Sequence, residues 1–129
     1  MNQQNTLLTA ALFGCLSVAL GAFGAHALKA TLTASGRLDT FELAVKYQFY
    51  HTLALFAFGL LMDKIPGAGM MTASALLTTG VILFSGSLYA LALTSFRGVA
   101  FVTPVGGLFL LAGWVVAAYA IATRNPGNE

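Results

Sequence analysis

The sequence predicts an all-α integral membrane protein: a four-helix bundle whose transmembrane helices lie at about 7–28, 38–62, 70–93 and 104–123. Its 129 residues would form one four-span domain with short polar termini. Three observations carry this. The mean hydropathy is +0.84, with 58% of residues hydrophobic. Only 8% are charged, against about a quarter in soluble chains. Those charges sit at the ends of apolar runs, in the links between them, or in one polar helix start. A net charge of +2 without a Lys/Arg block gives nucleic acid no footprint, so the implied partner is the lipid bilayer, with a membrane-protein partner or a second copy as the alternatives. A lone cysteine, Cys15, excludes an internal disulfide and a cysteine-based zinc site.

The first run, 7–28, is long enough at 1.5 Å per residue to cross about 30 Å of hydrocarbon. "LFGC" at 12–15 loosely resembles a lipoprotein cleavage site. The preceding "MNQQNT" has no Lys or Arg and the apolar stretch continues past Cys15, so a retained span is the reading. Gly14, Ser17, Gly21, Gly24 and Ala25 share one side at 100° per residue. In a bilayer, where lipid removes the ordinary hydrophobic drive between helices, such small residues are what permits close approach. Cys15 is read as a buried, inert thiol.

The second run is short in its unbroken part, 49–62. Counting about 20 residues back from Met62 places Leu43 near the interface and Lys46, Tyr47 and Gln48 just inside it. Asp39, Glu42 and Lys46 lie on one face, with Glu42 and Lys46 in the favourable i,i+4 order, as a solvated, self-neutralising stripe. Tyr47, Gln48 and His51 lie on another face, directed towards other helices. The third run offers Gly80, Ser85, Gly86 and Ser87 as a flat packing surface, and the fourth Gly106, Gly107 and Gly113. Trp114 sits in mid-span rather than in an interfacial belt, which indicates a packing role.

The links carry ordinary stop and start signals: "KATLTASGRLD" (29–39) as a polar link, "DKIPGAG" (63–69) as a tight turn, and "TSFRGVAFVTP" (94–104) with Thr103 as N-cap and Pro104 at the first helical position. Four spans put both termini on one face of the membrane. The first and third links, with nearby Lys46, hold more Lys and Arg than the other side, so both termini are expected to face outward.

Polar groups inside a membrane are functional candidates by default. His26 and His51 approach the same surface at depths differing by roughly 8 Å, with Tyr47 and Gln48 between them. A shared cluster His26, Gln48, Tyr47, His51 is therefore expected. Three readings fit it: polar glue between the first two spans, bis-histidine ligation of haem or a metal ion, and a proton or small-solute path through His51. The supply of further ligands is thin, which favours glue, with no metal or other cofactor. No nucleophile with a base, no carboxylate pair and no phosphate loop is visible, so no catalytic residue is assigned and a non-enzymatic accessory or scaffold role is expected.

"GAFGAHAL" (21–28), "AVKYQFYHTLAL" (44–55), "LFSGSLYALAL" (83–93) and "TPVGGLFLLAGW" (103–114) occur in the order that characterises the domain-of-unknown-function four-two-three family, which the chain resembles over about residues 7–120. That family comprises small multi-pass bacterial membrane proteins similar to a small mitochondrial transmembrane protein of animals. The resemblance implies placement in the bacterial inner membrane and supplies no mechanism. It singles out Gly21, Gly24, His26, Tyr47, Gln48, His51, Ser85, Gly86, Ser87, Pro104, Gly106, Gly107 and Trp114. Of these only His26, Tyr47, Gln48 and His51 have the chemistry of a site.

Overall fold

A computed structural model describes residues 1–124. The polar tail expected at 125–129 lies outside the described residues. Five α-helices follow in order: α1 (Gln3–Ala25), α2 (Lys29–Ala34), α3 (Leu38–Leu61), α4 (Ala68–Leu93) and α5 (Val102–Ala122), with a 3-10 turn at Arg97–Phe101 leading into α5. α1 packs mainly on α3, α3 on α4, and α4 on α5. The outer pair, α1 and α5, leaves Leu8, Leu12, Leu16, Leu108, Leu111 and Val115 largely exposed. In a bilayer those faces meet acyl chains.

Among the described residues, three helical stretches are long and apolar enough to cross a membrane: α1, α4 and Arg97–Ala122. α3 has the length, 24 residues, but the polar side chains from Lys46 to Thr52 make it less apolar than the other three. Its inward face carries Phe41, Ala44, Gln48, His51, Thr52, Leu55 and Phe58, all buried. Asp39, Glu42 and Lys46 are exposed on the opposite side, so the two stripes separate as their spacing requires. The charged stripe is solvated, yet Glu42 and Lys46 make no ion pair with each other.

α1 begins earlier than its apolar run because the Asn2 side chain accepts from the Asn5 N–H at 2.8 Å, satisfying one of the orphan donors of the first turn. Gln3 then fastens this end to the end of α3, donating to the Gly59 carbonyl at 3.0 Å and to the Asp63 carboxylate at 2.8 Å. A tight turn forms between α3 and α4, but it ends before the expected residue 69: Gly67, at φ +113, leads directly into α4 at Ala68.

Two links differ from the sequence reading. Residues 29–34 are the short helix α2, held down by Leu32, which is buried with Phe41 and Ala92. A single apolar residue is too little periodicity to reveal a helix in advance. At the start of α5 the helix begins at Val102, not after Thr103. Thr103 is no cap; its hydroxyl is 2.6 Å from that of Ser87 on α4. Pro104 falls inside the first turn, where its missing N–H has no intrahelical partner to lose.

The glycine faces sort clearly. A methyl built on Gly14 would meet Thr52 at 3.3 Å, on Gly21 Val45 at 3.4 Å, and on Gly24 the Phe41 ring at 2.6 Å, so the seam of α1 rests on α3. Gly80 meets Leu110, Gly113 meets Leu77, and Gly106 lies against the backbone of Phe84. Gly107 has only ordinary contact with Phe84, at 3.9 Å. Gly86 does not pack: nothing lies within 4 Å of its added methyl, and it is exposed. Cys15 is likewise exposed rather than buried. It follows Gly14 by 100° on the helix and so turns away from the seam.

Candidate functional site

The polar residues of α3 converge on the middle of the molecule, but with different partners from those expected. Gln48 is 4% exposed and ties three helices together. Its Nε2 donates to the Phe13 carbonyl of α1 at 3.0 Å, and its Oε1 accepts from the Tyr89 hydroxyl of α4 at 2.8 Å. The same Phe13 carbonyl also accepts from the Ser17 hydroxyl, one turn on, at 2.7 Å. Thr52 donates its hydroxyl to the Gln48 carbonyl at 2.8 Å, holding the α3 backbone beneath the amide.

His51, one turn further along, faces α5. Its Nδ1 lies 2.7 Å from the Tyr47 carbonyl and its Nε2 lies 3.2 Å from the Trp114 indole nitrogen. A carbonyl can only accept and an indole N–H can only donate. The arrangement therefore specifies the neutral tautomer with the proton on Nδ1, and the Nε2 lone pair is occupied by Trp114. The Trp114 ring meets His51 edge-on at 6.1 Å and Phe58 at 5.4 Å. Thus Trp114 packs between helices, as its mid-span position indicated, although its outer edge is exposed.

Tyr47 takes part through its ring and its backbone. The ring stacks on His51 at 6.0 Å and leans on Phe84 of α4 at 4.7 Å. Ser85 closes the α3–α4 contact by donating to the Ala44 carbonyl at 2.8 Å, and the Ser87 hydroxyl, which also reaches the Phe84 carbonyl of its own helix, meets that of Thr103 on α5.

His26 does not join this group. It caps α1, its backbone N–H returning to the Ala22 carbonyl at 3.1 Å, and its side chain is exposed beside Ala19, Ala22 and Phe23. Two residues beyond Gly24, it is turned about 200° from the seam that faces α3. The expected four-residue cluster is thus three residues of α3, joined by Tyr89 and Trp114. Tyr89 was missed. Its signal was a tyrosine in the middle of an apolar run, whose hydroxyl must find a partner once buried.

Chemically the group is a chain of satisfied neutral donors and acceptors. Among the described residues no set of three or more His, Cys, Asp or Glu is placed to hold a metal ion. The only buried side-chain polar atom without a partner among them is the Ser74 hydroxyl.

Comparison with known proteins agrees with the resemblance read from the motifs. The family model described as "Protein of unknown function (DUF423)" matches residues 20–107. The chain is 43% identical to the UPF0382 inner membrane protein YgdD of Escherichia coli strain K12, over the full length of both chains. It is 36% identical to the UPF0382 membrane protein YwdK of Bacillus subtilis, over 88% of this chain and 93% of that one. A UPF0382 membrane protein of Staphylococcus haemolyticus is 42% identical over 85% of this chain and 88% of its own. No solved structure matches the chain.

Proposed function

The chain belongs to the DUF423 family of bacterial membrane proteins, and on that premise we propose that it is a four-span inner-membrane scaffold or accessory subunit without enzymatic activity. The observation behind this reading is that the interior polar atoms of α3 are spent on neighbouring helices. Gln48 engages α1 and α4, and both ring nitrogens of His51 are engaged. A ligand or relay histidine needs a free lone pair or a path to water. Here the lone pair is filled by an indole N–H, so the group supports rigidity over ligation or conduction. The helices on either side, α1 and α5, offer apolar faces to lipid or to a partner subunit.

The same geometry supports α3 as the fourth span. Its 24 residues cover about 36 Å, it lies between α1 and α4, and the polar side chains of its middle, Gln48, His51 and Thr52, point inward where the bundle satisfies them, as a bilayer demands. Both termini then share one face. Lys29, Arg37, Lys46 and Arg97 at the opposite end favour a cytoplasmic position for that end.

The test is a visible spectrum and metal content on protein purified in mild detergent. Colourless, metal-free protein, with His51→Ala less stable and His26→Ala unchanged, is the expected outcome. A Soret band, or stoichiometric metal lost in both His26→Ala and His51→Ala, overturns the scaffold reading in favour of a haem or metal binder. Proton flux into liposomes that depends on His51 overturns it in favour of a conductor.

A further inference from the structure

At the end of the molecule that carries α2, a groove of about 380 Å³ runs between α2 and the last turn of α4. Its size falls at the lower end of small-ligand sites. Two arginines from different links form its polar lip, Arg37 just before α3 and Arg97 at the start of the 3-10 turn. Arg37 is half-buried and held in place, one Nη donating to the Leu91 carbonyl at 3.3 Å. Most of its guanidinium fork is left for a further acceptor. Arg97 is exposed. The hydroxyls of Thr31 and Ser95 stand on the same walls, while Leu32 and Leu93 supply an apolar floor and flank. The nearby carboxylates, Asp39 and Glu42, are on the outer face of α3 and outside these walls.

We propose that this groove holds the headgroup of an anionic phospholipid, its phosphate between Arg37 and Arg97 and the glycerol region over Leu93. The charge pattern selects an anion, and a guanidinium fork matches phosphate oxygens in geometry as well as sign. The apolar part selects a lipid over free phosphate, because a small inorganic anion would leave the 52% exposed Leu93 in water. The position agrees. Phe96 and Phe101, on either side of Arg97, are 68% and 83% exposed, and apolar rings so exposed at the end of the spans belong at the boundary of the hydrocarbon. Lys29 and Lys46 add positive potential at the same end, where a cytoplasmic leaflet rich in anionic lipid would face it.

Delipidated protein in a neutral detergent, titrated with short-chain phosphatidylglycerol, phosphatidylcholine or inorganic phosphate, tests this by native mass spectrometry and thermal midpoint. Phosphatidylglycerol is expected to bind saturably, one per chain, and to raise the midpoint; the other two are not. Arg97→Gln, which removes no internal hydrogen bond, should weaken binding about five-fold, and adding Arg37→Gln should weaken it by about the same factor again. Lys64→Gln, at the opposite end, should bind as the unsubstituted protein does. Equal binding of phosphatidylcholine, equal protection by phosphate alone, or full binding by Arg97→Gln overturns the proposal.

Discussion

Where α5 meets α4, backbone lies on backbone; where α3 meets α1, an amide side chain reaches across to a carbonyl. A methyl on Gly106 would lie 2.8 Å from the Cα of Phe84 and 2.9 Å from the carbonyl carbon of Leu83, so the α4–α5 contact can yield only by moving a helix. On the α1–α3 side, methyls on Gly14 and Gly21 would lie 3.3 and 3.4 Å from side chains, and Gly24 faces the ring of Phe41, a side chain and not a backbone. The gap there is bridged by Gln48. Close packing and polar bridging are two answers to one problem, the absence of a hydrophobic drive between helices in lipid. They should fail differently.

The largest expected loss is on the packed side. Gly106→Ala should cost about 3 kcal/mol, the upper range for overpacking a filled contact, because the atoms in the way are main chain. Gly24→Ala, opposite Phe41, should cost well under half as much. Unfolding of the two variants in mixed micelles checks the ratio, and equal losses would mean that Phe41 is as fixed as a backbone.

Gln48→Leu should cost about 1.5 kcal/mol, since interhelical hydrogen bonds in bundles are worth about 0.6 kcal/mol on average and about 1.7 at most, and this substitution removes two while stranding the Tyr89 hydroxyl. Tyr89→Phe should cost less alone and little more when combined with Gln48→Leu, because the bond it breaks is then already gone. An additive double-mutant cycle would contradict the 2.8 Å contact. Trp114→Phe keeps a ring against Phe58 and removes only the N–H to His51, so about 0.6 kcal/mol is expected. That variant also frees the Nε2 lone pair.

The sequence revealed the long helices because apolar runs of span length leave little choice of structure, and it placed the two stripes of α3 because their angular separation is large. It was weaker wherever the answer depended on rotation about a helix axis. His26 and the Gly24 seam are two residues apart and therefore point in nearly opposite directions; judging His26 by depth alone paired it with His51. Tyr89 and Trp114 supply the actual partners from helices whose facing sides depend on how the bundle closes. α2 escaped notice because Leu32 is a lone apolar anchor among polar neighbours. Within "SGS" at 85–87 the same issue decides Gly86. Ser85 bonds α3 and Ser87 bonds α5. Successive residues turn by 100°, so if the outer two face flanking helices, the middle one points out between them.

Gly86→Ala is accordingly the smallest effect expected and the sharpest control for the comparison. No atom lies within 4 Å of the added methyl, so the packing term is nil. Replacing glycine in the middle of α4 should instead raise helix stability by a few tenths of a kcal/mol, up to about 1. The measurement is the unfolding midpoint beside that of Gly106→Ala in the same micelles. A gain or no change confines close packing to the glycines that face a neighbouring helix within one chain. A loss approaching that of Gly106→Ala would require a surface pressed against Gly86 from outside, and a concentration-dependent loss would identify that surface as a second copy of the chain.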